Sequence, residues 1–297
     1  MIHRSVLLKE VIAGLDIQPG DVVVDGTLGN GGHTRAIAEQ FGNTIKLIGI
    51  DLDQDALDRS QDRLKDLSLD ITYVLGSFRD IDKHLTDLGI SQVNRVLLDI
   101  GLSSNQLEES GRGFAFRQDE PLRMTFKKEL GEEEYDAHKI VNTWDEDSIR
   151  TIIRSYGEER FAGRIAKGIV RTRELSPIET TTDLVNVILA STPRFYHHGK
   201  IHPATRTFQA LRITVNDELY ALEEGLEKSF QALASKGRLA IISFHSLEDR
   251  IVKEHFKSLE TSKQGIRITK KPITPNEEEI YENPRSRSAK LRIIEKN

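Results

Sequence analysis

Four short apolar runs in the first 100 residues alternate with segments of helical character, and this order restricts the folds open to the chain. The runs cover residues 21–25, 46–51, 71–75 and 95–100. They are rich in Val, Ile and Leu without strict alternation, which is typical of parallel strands covered on both faces. Helices are expected between them, over 34–40, 54–67 and 81–88. The β-α-β-α-β-α-β order predicts a doubly wound, mostly parallel α/β sheet.

The strand pattern stops after the fourth run. No strand is expected from about Asn105 to His202, whereas 147–173 and 181–192 have apolar residues at helical spacing. A long helix over 205–233, a strand over 237–244 and a closing strand pair at 266–273 and 290–296 then complete the sheet. We therefore expect a sheet domain formed by residues 1–104 and 203–297. An all-helical insert at 105–202 would serve substrate recognition.

Composition excludes several kinds of site. The chain has no cysteine, which rules out disulfides, thiolate metal sites and cysteine nucleophiles. Its histidines, among them His33, His245 and the pair His197-His198, show no H-E-x-x-H spacing, and we expect no metal site. The first 20 residues contain neither a signal-peptide core nor a spanning segment, so we expect a cytoplasmic protein without a membrane partner.

The net charge of -5 argues against a general polyanion binder, but the charge is unevenly placed. From Arg250 to the end there are 12 Lys/Arg against 7 Asp/Glu, and the rest of the chain has 30 against 40. A basic end on an acidic body indicates that any nucleic-acid contact is local. A solvated pair of surface strands is the alternative explanation.

The stretch VVVDGTLGNGGHT (22–34) places a glycine-rich turn at the end of the first strand. Its glycines let the backbone approach a ligand closely, and such a turn can hold a phosphate, a dinucleotide or a nucleoside. The dehydrogenase fingerprint G-x-G-x-x-G would need a third glycine that is missing here. The spacing Asp-x-x-x-Gly-x-Gly-Gly, starting at Asp25, is instead similar to that of S-adenosylmethionine-dependent methyltransferases.

Side chains at the ends of the next three strands fit the same ligand. Asp51 ends the second run and Asp53 follows it. A carboxylate holds each ribose hydroxyl by about 1.5–3 kcal/mol. By position we assign the ribose to Asp53. Phe78 after the third run is a candidate for the adenine face, and Asp99 ends the fourth. Taken singly, a helix N-cap for each Asp and a core position for Phe78 are the alternatives.

Longer segments match one family in order and cover nearly the whole chain. They are DGTLGNGGHT (25–34), LLDIGLSSNQL (97–107), RGFAFR (112–117), YGEERFAGRIAKGIV (156–170), HPATRTFQALRITVNDEL (202–219), GRLAIISFHSLEDRIVK (237–253) and NPRSRSAKLR (283–292). On these segments the chain resembles the MraW/RsmH-like methyltransferases, which methylate the exocyclic N4 of a cytidine in small-subunit ribosomal RNA.

The resemblance implies a Rossmann-like class I methyltransferase sheet with an inserted helical domain, and S-adenosyl-L-methionine as cofactor. It also carries over the cofactor contacts of the family. In this sequence they are Gly31, Gly32, His33, Asp53, Phe78, Asp99 and Gln106. The substrate implied is small-subunit ribosomal RNA or the assembled small ribosomal subunit. Oligomeric state is left open, with a homodimer as one alternative.

One segment departs from the family pattern. After Pro121 the family usually has two acids at the positions of Arg123 and Lys127. This charge reversal leaves two alternatives open. One is a diverged methyltransferase acting on another substrate, a protein or DNA; the other is a non-catalytic relative that binds RNA or the ribosome.

Transfer to a cytosine amine needs an acceptor for an N4–H proton, because the N4 lone pair is delocalised into the ring. We assign this role to Asp99 with Ser103 or Ser104, or to nearby backbone carbonyls. A target base must also leave its stack, and aromatic and basic side chains are expected along its path. The candidates for RNA contact are Phe116, Arg117, Arg206, His245, Arg285 and Arg287. Packing of the aromatic residues and local ion pairs around 248–250 are the alternatives.

Overall fold

The computed structural model describes residues 5–101, 110–127, 131, 134–199 and 201–297. The chain forms two compact units. The sheet unit comprises Met1–Gly101 and Leu219–Asn297, and the helical unit comprises Leu102–Glu218. Within the described ranges, no helix is both long and apolar enough to cross a membrane.

A seven-stranded sheet forms the centre of the sheet unit, in the order β3-β2-β1-β4-β5-β7-β6. Its strands are β1 (Val22–Asp25), β2 (Lys46–Asp51), β3 (Asp70–Leu75), β4 (Val93–Asp99), β5 (Leu233–Ser243), β6 (Gly265–Arg267) and β7 (Lys290–Lys296). The first five pair in parallel. The strand order reverses between β1 and β4, and ligands of open α/β sheets bind beyond the carboxyl ends of the strands at such a point. The doubly wound, mostly parallel sheet is therefore confirmed.

Helices cover both faces of this sheet. They are α1 (Leu8–Leu15), α2 (Gly32–Phe41), α3 (Gln54–Leu64), α4 (Ile81–Asp87), α10 (Glu218–Ala232, with Glu218 assigned to the helical unit) and α11 (Ser246–Thr261). A short helix, α12 (Glu277–Glu282), has no buried residue. Successive strand residues point to opposite faces. Val23 thus belongs to one buried cluster and Val24 to the other. Burial on both faces explains why the strands read as unbroken apolar runs.

The closing strand pair is antiparallel, with β7 lying between β5 and β6. The strand expected over 266–273 is shorter than predicted, because β6 ends at Arg267 and only an isolated bridge from Ile273 to Leu291 follows. Pro272 lies between them and has no N–H to donate to a ladder.

The helical unit contains α5 (Ala137–Thr143), α6 (Glu146–Ser155), α7 (Ala162–Arg173), α8 (Thr181–Ser191) and α9 (Thr205–Asn216). Its apolar residues form a core of their own. The Thr/Asp cap expected before 181 is present: Thr180 accepts from the Asp183 N–H, and Asp183 in turn accepts from the Thr180 N–H.

Two long helical segments are each divided in the structure. Residues 147–173 form α6 and α7, separated at Gly157, where a Cβ would press against the backbone carbonyls of Arg206 and Ile153. The helix expected over 205–233 is interrupted at Asp217, which has a left-handed φ of 51°. Asn216 bonds the backbone of Met124 and Phe126 there, so a tertiary contact holds the break.

The bounds of the insert also differ from the expectation of 105–202. The helical unit extends to Glu218. Helix α9 contributes Phe208, Ala210 and Leu211 to its core, and for this reason residues 203–218 belong to it and not to the sheet unit.

Candidate cofactor and active site

The glycine-rich turn joins β1 to α2 at the carboxyl edge of the sheet. Gly29 and Gly31 have positive φ angles of 53° and 67°, which residues with a side chain rarely adopt. A Cβ at Gly31 would also collide with the Ser60 hydroxyl, and one at Gly32 with the Ser5 hydroxyl. The turn is therefore closely packed from behind, and only glycine lets its backbone take this path.

Asp51, the last residue of β2, holds this turn in place. One of its carboxylate oxygens accepts from the Gly29 N–H at 2.7 Å, and the other accepts from the Asp53 N–H at 2.9 Å. Burial raises the pKa of Asp51 to about 6, against these hydrogen bonds. Both oxygens of Asp51 thus accept from backbone N–H groups.

Asp53 begins α3 as its N-cap, since its Oδ1 accepts from the Asp55 N–H at 3.1 Å. The N-cap alternative considered for this residue is therefore realised. Its backbone N–H donates to Asp51, the carboxylate that also accepts from Gly29 of the turn, and Asp53 is only 6% exposed. The assignment of the ribose to Asp53 remains a prediction, and capping by one oxygen is compatible with it.

Asp25 and Asp99 end the two strands at which the sheet order reverses. Thr34 donates its hydroxyl to Asp25 at 2.7 Å, and the Asp99 N–H donates to the Thr27 hydroxyl at 2.7 Å. Burial raises the pKa of Asp25, although His33 and Thr34 oppose this. The two threonines were not among the predicted residues. Their positions in the sequence could have indicated them: Thr27 lies two residues after the acid that ends β1, and Thr34 lies at the start of α2.

His33 lies beside Asp99. Its Nε2 is 3.0 Å from the Val6 carbonyl oxygen, so Nε2 carries a proton and donates it there. Its Nδ1 is 3.8 Å from Asp99 Oδ2. The first turn of α2 thus brings the predicted residues His33 and Asp99 together.

Asp99 has the chemically most available carboxylate of this group. Its Oδ1 is buried and has no hydrogen-bond partner among the residues that the structure describes. Burial raises the pKa of Asp99 to about 6; His33 opposes this, and the Asp25 and Glu248 carboxylates add to it. A carboxylate with one unpaired oxygen and this pKa can accept a hydrogen bond or a proton near neutral pH.

Phe78 follows β3 and is half-buried. A Cβ at Gly225 of α10 would collide with its ring, and its own Cβ lies near Gly26 of the turn. It packs against the core of the sheet unit, as the core alternative proposed. A contact with adenine through its remaining surface stays a prediction.

His245 is the N-cap of α11. Its Nδ1 accepts from the Glu248 N–H at 3.4 Å, and Glu248 accepts from the Phe244 and His245 N–H groups at 2.7 and 3.1 Å. Glu248 is 1% exposed, and its charge acts on Asp99. The packing alternative for His245 is therefore observed, and its contact with RNA stays a prediction. Glu248 could have been found from the sequence, because it follows the N-cap residue His245 by three positions, the spacing of a capping box.

The remaining RNA candidates lie in separate places. In the helical unit, Phe116 stacks on His202 with ring centroids 4.6 Å apart, Arg117 is exposed, and Arg206 donates to the Glu158 carbonyl. In the sheet unit, Arg285 and Arg287 are exposed on a 3-10 turn. The predicted residues Ser103, Ser104 and Gln106 lie outside the described residues.

The two charge reversals at 121–127 lie on a segment folded onto the core of the helical unit. Leu122 and Met124 are each 1% exposed. Arg123 between them is half-buried, and Lys127 is exposed and forms an ion pair with Glu134. The positive charge of Lys127 is thus paired with Glu134, and the segment folds with a lysine at this position.

Among solved structures, the chain is similar to methyltransferases at low sequence identity. SMU.1697c of Streptococcus mutans, solved in complex with SAH, is 11% identical with a TM-score of 0.47, and 100% of each chain is covered. An rRNA methylase from Streptococcus thermophilus is 14% identical with a TM-score of 0.44, covering 100% of this chain and 98% of that one.

Sequence relatives are much closer. "Ribosomal RNA small subunit methyltransferase H" of Sulfurihydrogenibium sp. (strain YO3AOP1) is 49% identical over 293 residues, 98% of either chain. Proteins of the same name from Syntrophus aciditrophicus (strain SB) and Brevibacillus brevis (strain 47 / JCM 6285 / NBRC 100599) are 45% and 43% identical. Each alignment covers 99% of this chain, with 97% and 98% of the relatives.

A sequence model of the MraW methylase family matches residues 1–297, the whole chain. The resemblance and the cofactor expected from the sequence are therefore confirmed. The chain belongs to the MraW methylase family and is an S-adenosylmethionine-dependent methyltransferase.

Proposed function

We propose that the protein methylates the exocyclic N4 of a cytidine in small-subunit ribosomal RNA. Full-length relatives at 43–49% identity are named for small-subunit ribosomal RNA, and this supports the substrate class. The observation that carries the choice of an amine nitrogen is the buried, unpartnered Oδ1 of Asp99. It is an acceptor at the sheet edge where class I methyltransferases bring cofactor and substrate together.

The residues present fit S-adenosylmethionine. Gly29 and Gly31 take left-handed conformations that bring a bare backbone to the carboxyl edge of the sheet. The turn, with Gly32 and His33, would hold the amino-acid part, Asp53 the ribose and Phe78 one face of the adenine. When bound, the cofactor supplies a methyl group activated by a positively charged sulfur.

Asp99 acts on the other reactant. Its Oδ1 accepts a hydrogen bond from one N4–H of the cytosine, which turns the amine and makes its lone pair available for bonding. The proton released from N4 as it gains the methyl group passes to the same carboxylate. Above pH 6 the carboxylate is ionised and able to accept it, because the pKa of Asp99 is raised by burial to about 6.

His33 and Glu248 set the charge around this carboxylate. The His33 ring, 3.8 Å from Oδ2, favours the ionised form of Asp99, whereas Glu248 and Asp25 disfavour it. Their opposed effects keep the pKa of Asp99 near the pH at which a proton can be both taken up and released. Ser103 and Ser104, which follow Asp99 by four and five positions in the sequence, remain the predicted further acceptors for N4.

The test is methyl transfer from isotopically labelled S-adenosylmethionine to small ribosomal subunits, followed by nucleoside analysis. We expect label in N4-methylcytidine, and a rate of labelling lower by roughly a hundredfold or more when Asp99→Asn replaces the wild type although that variant is folded. Protein and DNA are offered in parallel reactions. Label in one of these, in another nucleoside, or in none of them would overturn the proposed substrate.

A further inference from the structure

Helix α7 of the helical unit presents a basic face. Arg164, Lys167 and Arg171 recur at three- and four-residue spacing, so they lie on successive turns of one side of the helix. All three are exposed. Residues 160–173 contain five Lys/Arg and no Asp/Glu, in a chain whose net charge is -5. We call Arg164, Lys167 and Arg171 the basic stripe.

The opposite side of α7 fixes which way this stripe points. Ala162, Ile165, Ala166 and Ile169 are buried in the core of the helical unit. Rotation of the helix would expose them, and therefore the basic stripe is held toward solvent over roughly 10 Å of helix length at 1.5 Å per residue.

The cations of the stripe have no anionic partner in the described part of the chain. The guanidinium carbon of Arg164 lies 5.7 Å from the centroid of the Phe161 ring. Other cations of the protein have carboxylate neighbours, as in the pairs Arg35–Asp66 and Arg79–Glu224. A row of unpaired cations on an acidic protein marks a place where an external anion would be favoured.

Aromatic rings adjoin the first turn of the stripe. Phe161, Phe195 and Tyr196 lie edge to face, and the Arg160 guanidinium stands over all three rings at 4.8 to 5.7 Å. Phe195 is 67% exposed, unusual for so large an apolar side chain. A flat apolar ring next to unpaired cations has the chemistry of a nucleobase-stacking site.

A buried carboxylate holds this aromatic cluster in position. Glu159 is 1% exposed and accepts from the Tyr196 hydroxyl at 2.5 Å and from the Phe161 N–H at 2.7 Å. It thereby ties the segment carrying Phe195 to the beginning of α7. The rings are thus presented by a fixed arrangement and need no reordering to receive a ligand.

We propose that the basic stripe and Phe195 bind a single-stranded segment of the substrate RNA outside the target nucleotide. A base stacks on Phe195, and neighbouring phosphates contact Arg164, Lys167 and Arg171. This inference rests on the proposed function for the identity of the RNA. RNA is favoured over an acidic protein segment because stacked aromatic rings and guanidinium groups both match a nucleotide.

The test is binding of a short, labelled single-stranded RNA of mixed sequence to the full chain across a range of salt concentrations. Neutralising the stripe in Arg164→Gln/Lys167→Gln/Arg171→Gln should reduce the slope of log K against log salt by roughly 2, at about 0.7 for each phosphate left without its cation. Phe195→Ala should weaken binding roughly tenfold without changing this slope.

Matched control variants separate the loss of positive charge and the loss of the aromatic ring from other effects of mutation. Arg164→Lys/Lys167→Arg/Arg171→Lys keeps the cations and should retain the slope, and Phe195→Tyr should retain affinity. S-adenosylmethionine affinity should stay unchanged in every variant, which shows that the chain is folded. RNA binding equal to wild type in both the Gln and the Ala variants would overturn the inference. This holds even if the variants bound a ribosomal protein more weakly than the wild type does, because the surface would then bind protein and not RNA.

Methyl transfer to small ribosomal subunits distinguishes failure of this inference from failure of the proposed function. We expect the Gln variant to raise KM for subunits at least tenfold with kcat little changed. Wild-type methylation with an unchanged KM in the Gln variant refutes the docking surface alone. A reduced salt slope in the Gln variant of a protein that methylates no cytidine supports the surface and refutes the proposed function.

Discussion

At the scale of single residues, carboxylates of the same type take different roles at one sheet edge. Asp51 gives both oxygens to backbone N–H groups, whereas Asp99 has an oxygen with no partner among the described residues. Burial raises the pKa of both to about 6. Hydrogen bonding, and not burial, therefore separates a carboxylate that supports the turn from one that can act on a substrate.

The first prediction concerns the pH dependence of catalysis. Because the pKa of Asp99 in the free protein is about 6, kcat/KM should fall about tenfold per pH unit below 6 and level off above it. Asp99→Asn should lower kcat/KM by roughly 10²–10⁴ and remove this limb. The measurement is a pH–rate profile with substrates well below their KM. A profile of wild-type shape in the Asn variant would exclude Asp99 as the proton acceptor.

The same pKa has a consequence for stability. A carboxyl whose pKa rises from 3.8 to about 6 on folding stabilises the folded state below pH 4, and this contribution is lost as the pH rises through 6. Asp99→Asn should therefore be more stable than wild type at pH 8, by roughly 1–3 kcal/mol, but not at pH 4. Denaturant unfolding at the two pH values measures this difference, and equal differences would contradict it.

The second prediction separates Asp51 from Asp53. Asp53→Asn keeps a good N-cap for α3 but removes the charge, so S-adenosylmethionine should bind roughly 10- to 100-fold more weakly with little loss of stability. Asp51→Ala leaves two N–H groups without an acceptor and should lower the free energy of unfolding by roughly 2–4 kcal/mol. Calorimetric titration and thermal melting measure the two effects. Normal cofactor affinity in Asp53→Asn would move the ribose contact elsewhere.

At the scale of elements, a buried ionic contact joins α11 to β7. Asp249 accepts from Arg292 at 2.7 Å and from Lys290 at 3.0 Å, and Asp249 and Arg292 are 9% and 5% exposed. Burial opposes ionisation, but the hydrogen bonds from Arg292 and Lys290 outweigh it and hold the pKa of Asp249 below its ordinary value. The helix after β5 is thus held to the antiparallel strand that closes the sheet.

The third prediction is that this contact stabilises the sheet unit only while both partners are present. Asp249→Ala leaves the Arg292 charge buried alone and should cost roughly 3–5 kcal/mol. Asp249→Leu/Arg292→Met should recover most of that loss, because it removes both charges. Urea unfolding of the three proteins tests this. Since the pKa of Asp249 is lowered, the wild-type advantage should disappear as the pH falls below 4.

At the scale of the whole molecule, the charge distribution determines how an acidic protein can bind RNA. The net charge is -5, yet the basic stripe on α7 and the exposed Arg285 and Arg287 are local concentrations of positive charge. The acidic remainder repels a polyanion and the basic places attract it, so the RNA binding that we propose is expected at these particular surfaces.

The fourth prediction concerns the arginines of the sheet unit. Arg285→Gln/Arg287→Gln should reduce the salt dependence of RNA binding by about 1.4 in slope, at about 0.7 for each of two phosphates. Arg285→Lys/Arg287→Lys keeps both charges and should behave as wild type. Titrations of labelled RNA at several salt concentrations provide the comparison. An unaltered slope in the Gln variant would leave these arginines without a phosphate contact.

The amino-acid sequence by itself determined the parallel sheet, the glycine turn and the family. Strands β2 and β7 have the bounds expected from the sequence, 46–51 and 290–296, because the buried residues of each strand are consecutive in the sequence. The turn was equally visible, because its glycines take backbone conformations that other residues avoid.

Only the tertiary structure decided which groups bond one another and where the helices break. The interruption at Asp217 depends on Asn216 reaching Met124, 92 residues away along the chain, and the role of Asp51 depends on Gly29. The local sequence pattern predicts which residues are buried. The partners in hydrogen bonds and ion pairs depend on the tertiary structure, because they must lie within about 3 Å of each other in the folded chain.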